Sequence, residues 1–329
     1  MRLTKISATS LRGYIYEAAI DKMFQNAGFT KAPNTYQNPR VKVKGRAVNN
    51  QIDCIKLFPI FIPFTYPLRL LVEVKGWGWS VGSSPLMKFK SVLDDIAEFG
   101  NREYKSSDEE RILNFGDQLI ERFVDIPVFI SLNGFKQPAQ EYGMLNGVCL
   151  VDHSKTPEMI KLTEKIRKMI EAIPSFSYKI TRRDLALAIL TDDHELPDQL
   201  KTNENFMEQR KEVLDNITSV FSIFGSVDGR VPVHILTNEE LPTVDDGSQI
   251  SANIEKNNGV FTLLLYQSNQ KVFTGHFTLP SLYDKYIQIS GRITNGRKAK
   301  ARPLQNIVLF YKKGNRDVFL KANINEVRK

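Results

Sequence analysis

The eight residues Leu68-Arg-Leu-Leu-Val-Glu-Val-Lys75, closed by Gly76, constrain this chain more than any other stretch. An apolar run of that length, bounded by a glycine, predicts a strand inside a sheet. The twofold period of a strand sends Glu73 and Lys75 to one face and Val72 and Val74 to the other. Charged side chains at i and i+2, at the end of an otherwise apolar strand, are costly to bury without partners. Asn50-Gln51-Ile52-Asp53 ends a second strand, also continued by apolar residues. If the two strands pair, Asp53 and Glu73 converge as hard oxygen ligands for a divalent cation such as Mg2+, which needs only one or two carboxylates plus phosphate and water. Lys75 then stands where it can orient or help deprotonate an attacking water and stabilise phosphorane charge. Glu17, projecting from an upstream helix, adds a third acid. The Glu-x-Lys tripeptide alone is also what a solvated strand end looks like. The order of helix-borne Glu17, strand Asp53, a hairpin-like return and then Glu73 and Lys75 lifts it above that.

The rest of the first half alternates helix and strand. Residues 10–27 predict a helix with Ser10 as N-cap, an apolar face through Leu11, Tyr14, Ala18, Met23 and Phe24, and Gly28 as its left-handed stop. Residues 40–48 and 51–58 predict strands that turn at Asn49-Asn50. Helical spacing follows at 84–99, and a charged stretch from 101 to 111 leads into a further helix through 123. Then come a strand at 127–132, a helix at 138–145, a strand at 148–152 and a helix at 157–173. This is the pattern of an α/β unit with a mixed sheet. Pro174 and Ser175 mark the expected domain boundary, giving 1–175 and 176–329. Two helices (181–190 and 205–223) then precede strands near 231–237, 260–266, 272–279, 286–290, 306–311 and 317–321. That half predicts an all-β or α+β module.

Composition narrows the class. Hydrophobic residues make up 42% and charged residues 25% of 329 positions, as in ordinary globular chains of about two domains. No apolar run reaches the ~18 residues of a membrane helix. Met-Arg-Leu-Thr-Lys at the start lacks the roughly 7–15-residue apolar core of a secretion signal. Cys54 and Cys149 offer no disulfide framework or thiolate zinc site. A cytoplasmic location is the expectation. The net charge of +8 is unevenly spread: residues 1–50 carry nine Lys and Arg against two acids, and residues 285–329 carry twelve against two. Two basic ends around an acidic middle suit a polyanion gripped from both sides. The densest basic run holds Arg292, Arg297, Lys298, Lys300 and Arg302, in an expected loop, where phosphate contacts would position DNA without reading bases. Lys312, Lys313 and Arg316 extend the positive face. His153, His194, His234 and His276 have no metal-ligand spacing, and no phosphate-binding P-loop occurs. Trp77 and Trp79 suit either stacking on a base or packing on the next helix.

These motifs together resemble the PD-(D/E)XK nuclease superfamily, and within it the Mrr-like type IV restriction endonucleases and archaeal Holliday-junction resolvases. Arg12-Gly13-Tyr14-Ile15-Tyr16-Glu17 followed by Phe24-Gln25-Asn26-Ala27-Gly28-Phe29 is similar to the family's opening helix. Asn49-Asn50-Gln51-Ile52-Asp53 stands where the family has a glycine-rich turn ending in the metal aspartate. Leu71 to Lys75 matches its E/Q-x-K strand. Phe129 to Phe135, Ala139, Tyr142 and Gly147 to Asp152 look like the segment that follows, which favours the Mrr-like branch. The likeness covers residues 10–155. It departs in the missing glycines before Asp53 and in the apolar insert of residues 57–64.

The resemblance implies a restriction-endonuclease-like α/β core, a mixed sheet flanked by helices, with a second, β-rich (α+β) C-terminal domain for DNA recognition or assembly. It implies Mg2+-dependent hydrolysis of DNA, with Mn2+ as a substitute: Asp53 and Glu73 on the metal, Glu17 in support, Lys75 on the nucleophile. A host-defence role against foreign or modified DNA and a homodimer or higher homo-oligomer follow by analogy. A junction or repair nuclease, or a non-catalytic DNA-binding protein, are the alternatives.

Overall fold

The computed structural model describes residues 4–5, 8–31, 42–58, 65–76, 78–105, 123–174, 177–178, 180–191, 195–243, 249–284, 305–314 and 316–328. The first part of the chain runs β1 (Thr4–Lys5), α1 (Ala8–Asn26), β2 (Thr30–Lys31), β3 (Lys42–Lys44), β4 (Asn49–Gln51), β5 (Cys54–Leu57) and β6 (Leu68–Lys75). It continues through α2 (Ser83–Lys105), β7 (Val124–Ser131), α3 (Gln137–Leu145), β8 (Cys149–Asp152) and α4 (Pro157–Glu171). After β9 (Ser177–Tyr178) come α5 (Arg182–Leu190), α6 (Asp198–Lys201) and α7 (Glu204–Ser219). The last part is β10 (Phe221–Val227), β11 (Val231–Thr237), β12 (Ile250–Asn257), β13 (Val260–Gln267), β14 (Gln270–Phe277), β15 (Asn306–Lys313) and β16 (Arg316–Arg328).

Two sheets organise these elements. The first has the order β2-β5-β6-β7-β8, with β5 antiparallel to β6 and the last three strands mutually parallel. The apolar run of the sequence is thus the central strand. Leu71 packs with Phe129 on one face, while Val72 and Val74 pack with Ile15 and Ile20 of α1 on the other. The second sheet is a closed barrel of seven strands, β10-β11-β14-β13-β12-β16-β15, sealed where β15 pairs with β10. Its interior follows from strict alternation: Ile250, Ala252 and Ile254 on β12 meet Phe261, Leu263 and Leu265 on β13. Two-residue turns at Asn258-Gly259 and Ser268-Asn269, all at positive φ, match the right-handed twist of its hairpins.

The expected restriction-endonuclease-like α/β core with a separate β-rich domain is corrected by this arrangement. The β-rich part is a closed barrel, and it does not stand apart from the mixed sheet. One buried cluster unites Leu71, Phe129 and Leu150 with Ile223, Leu263 and Leu309 of the barrel, and the other unites Phe24 and Val72 with Leu236 and Phe310. Thr278 bridges to Asp152, and Gln140 of α3 accepts hydrogen bonds from Ser281 and Leu282. The reason is physical: closure rests on β10 finding β15 and β12 finding β16, pairings between distant segments that alternation within one strand does not encode.

Smaller corrections follow. Asn49 and Asn50 lie in β4 rather than at a turn, and the turn that joins β3 to β4 lies at 45–48, closed by Gly45 N–H donating to the Val48 carbonyl at 2.9 Å. Residues 221–223, expected as the end of a helix, begin a barrel strand at 221–227, and 250–257 form a strand that was not among those expected. The expected elements at 106–122 and 286–290 lie outside the described residues. No helix among the described residues is long and apolar enough to cross a membrane.

Candidate active site

Three elements meet at the carboxyl end of β6. β5 begins at Cys54, opposite Val72, so the backbone N–H of Val74 lies beyond the ladder on that side. Oδ2 of Asp53, the residue just before β5, accepts it at 2.9 Å. Nζ of Lys75 donates to the Glu73 carboxylate and lies 3.5 Å from the same Asp53 oxygen. The side chains of Glu73 and Lys75 are about four-fifths buried, with relative exposures of 20% and 18%, and Asp53 is at 8%. The predicted strand geometry therefore does bring Asp53, Glu73 and Lys75 together.

Glu17 reaches this cluster from α1. The helix is held against β5 by Asp21, one turn beyond Glu17, whose carboxylate pairs with the fully buried Lys56 at 2.8 Å. At the other end of the contact Tyr16 lies over Gly76, where a Cβ would run into the phenol ring. Gly76 is therefore required for close approach of helix and strand. Oε2 of Glu17 is buried with no hydrogen-bond partner among the described residues.

The electrostatics follow from that crowding. Burial, then the charge of Asp53, pushes Glu17 up to about 8, against relief from Lys75 and Arg183. Burial and Asp53 likewise push Glu73 up to about 7. Burial pulls Lys75 down, but Asp53 and Glu73 together more than offset it and leave its pKa above that of a free lysine. At neutral pH Lys75 is an ammonium donor, and Glu17 and Glu73 still hold protons that a cation would displace.

Among the described residues no group of three or more His, Cys, Asp or Glu is arranged to hold a metal ion by itself. The donor set does suit a hard cation held by Asp53 and Glu73 and completed by substrate and water, with the orphaned Glu17 oxygen beside it.

Other predicted residues fare differently. Arg292, Arg297, Lys298, Lys300 and Arg302 lie outside the described residues, as do Trp77, His194 and residues 59–64. Trp79 is exposed. Lys312 packs against Gly28 at the end of α1. His153 and His234, which share no sequence spacing, form a buried pair at 2.9 Å between sheet and barrel. His276 pairs with buried Glu158 at 2.9 Å. Sequence reasoning missed Arg183, whose charge acts on Glu17 from α5; its only signal was a pair of arginines at a helix start, where the dipole disfavours them.

No protein-family model matches the chain, and no curated relative matches it. Among solved structures it is similar to a chain described as "Crystal Structure of Protein of Unknown Function AF1548", at 14% identity and a TM-score of 0.31, over 63% of this chain and 96% of that one. A likeness at that level carries no argument about fold or function.

Proposed function

We propose that the chain is a divalent-cation-dependent endodeoxyribonuclease that hydrolyses phosphodiester bonds. The observation that supports this most is the Lys75 ammonium seated between Asp53 and Glu73 at the end of an apolar strand. Such a group, kept charged in a largely buried site, serves negative charge that develops on a phosphorus centre better than it serves stability. Asp53 and Glu73 would hold Mg2+ or Mn2+, with Glu17 supporting from α1. The cation, when bound, supplies Lewis-acid polarisation and lowers the pKa of an attacking water. Asp53 is aimed by the Val74 N–H and would present its carboxylate to the cation. Lys75 donates toward a phosphoryl oxygen and withdraws charge from it. Glu17, protonated near neutrality without the cation, can pass its proton to solvent when the cation enters. Restriction of foreign or modified DNA in the cytoplasm, by a homodimer or higher homo-oligomer, is the task we assign to this chemistry.

The test is incubation of purified protein with plasmid and with modified phage DNA, in Mg2+, Mn2+ or EDTA, beside Lys75→Met. Nicking or cleavage that needs the cation and disappears in the variant is expected. Cutting that survives Lys75→Met, or binding without cutting on every DNA, overturns the proposal.

A further inference from the structure

Arg183, whose charge acts on Glu17, is one of three arginines with a guanidinium nitrogen left unpaired among the described residues. Nε of Arg12, Nε of Arg182 and Nη1 of Arg183 are each buried with no hydrogen-bond partner among the described residues. All three side chains are half-buried. An unpaired guanidinium nitrogen taken from water is costly, and proteins ordinarily give it a carboxylate or a carbonyl.

Their placement is set by two helices. α1 and α5 pack side by side. Nζ of Lys22 donates to the carbonyl of Leu190, the last residue of α5, at 3.2 Å, while Arg183 at the start of α5 acts on Glu17, one turn and a half earlier on α1. The helices therefore run in the same direction and begin at the same end. Arg12, Arg182 and Arg183 sit at that shared end, and Arg12 lies one turn before Tyr16, whose ring covers Gly76 next to Lys75. Arg182 and Arg183 occupy the first turn of α5, where cations oppose the helix dipole. An anion placed there would satisfy the orphan nitrogens and meet the positive end of α5.

We propose that Arg12, Arg182 and Arg183 form a phosphate-binding subsite that grips the nucleic-acid backbone beside the bond held by Asp53, Glu73 and Lys75. The proposal rests on the nuclease reading for its ligand: the anion is a backbone phosphodiester flanking the one to be cut. Guanidinium forks suit it because each offers two parallel donors to phosphate oxygens. The contacts are to backbone and carry no base preference.

The experiment uses the full chain in EDTA, so that binding is read without cutting. Affinity for a labelled duplex is measured by anisotropy from 50 to 300 mM KCl for the native protein, Arg183→Gln, Arg12→Gln and the double variant, with thermal unfolding of each. We expect each single change to weaken binding about fivefold or more at low salt and to lower the slope of log affinity against log salt by about 1. We also expect no fall in Tm without ligand, since an unpaired buried charge is removed; a structural arginine would lose Tm instead. Unchanged affinity and slope in the double variant overturn the proposal. If the native protein binds no duplex, the nuclease reading fails, and pyrophosphate then decides the subsite: stabilisation of the native protein that vanishes in the double variant upholds an anion site, and its absence overturns that too.

Discussion

Oδ2 of Asp53 accepts the backbone N–H of Val74 at 2.9 Å. The bond locks a carboxylate from one strand onto the middle of Glu73-Val74-Lys75 on its neighbour, at the point where the ladder between them has run out. A backbone group that would otherwise be orphaned thus becomes the device that aims a functional side chain.

Asp53→Asn separates that anchoring role from the charge. The amide oxygen still accepts from Val74, so folding is retained, while cation affinity falls by about tenfold or more and cleavage is lost. Asp53→Ala removes the anchor as well and costs a further ~1–2 kcal/mol of stability. Calorimetric titration with Mn2+ and thermal unfolding check both, and equal Mn2+ affinity in Asp53→Asn would remove Asp53 from the site.

Stability should fall as pH rises through the neutral range in EDTA. Glu17 and Glu73 have folded pKa values of about 8 and about 7, above the 4.5 of an unperturbed glutamate. Between those limits the folded chain binds more protons than the unfolded one, so their contribution is full below pH 4.5 and is lost as pH passes 7 to 8. Glu17→Gln should flatten the decline and raise Tm at pH 8.5 by about 2 °C or more. Added Mg2+ should stabilise the native protein most at high pH, where no proton competes. A Tm that rises steadily from pH 6 to 9 in EDTA would contradict this.

A fragment ending at residue 175 should not fold as an independent unit. Phe24 stacks on Phe224 at 4.7 Å between centroids, and Phe29 meets Phe224 and Phe310 at 4.8 and 5.6 Å. Removing the barrel strands exposes these rings, together with the face of α1 that α5 and α7 cover. Dye binding without a cooperative thermal transition is the expected behaviour. A sharp transition in the fragment would instead support a division at residue 175.

Gly76→Ala should destabilise the protein by about 1–3 kcal/mol, since its Cβ enters the space of the Tyr16 ring. The displacement moves α1, and with it Glu17, so activity should fall more than stability alone explains. Tyr16→Leu in the same chain should recover part of the loss. Additive effects of the two changes, measured by denaturant unfolding, would mean that they do not share that space.

Glu73 and Lys75 were legible as neighbours because strand periodicity is local. Leu68–Lys75 is a strand over its full predicted length, and the i, i+2 rule alone put Glu73 and Lys75 on one face. The stop of α1 was legible for the same reason, from apolar spacing and from Gly28, whose φ is +96°, whereas the helix starts at Ala8 and holds Ser10, the expected N-cap, inside its first turn. The arginines of α5 were not legible as part of the site, because nothing near residue 183 announces that its helix lies along α1. Nor was the His153–His234 pair, which joins residues 81 positions apart.

The sequence by itself determined which side chains share a face of each strand and each helix, and hence that Glu73 and Lys75 act together. Those properties depend on the twofold and 3.6-fold periods of one short segment. Only the tertiary structure decided that the β-rich half closes into a barrel and that its outer aromatic residues cover the sheet rather than face water. Closure depends on which distant strand supplies the last unpaired edge, and that choice is made by the packing of the whole chain. The same packing brought Glu17 and Arg183 to the carboxyl end of β6, and so set the charges around the cluster.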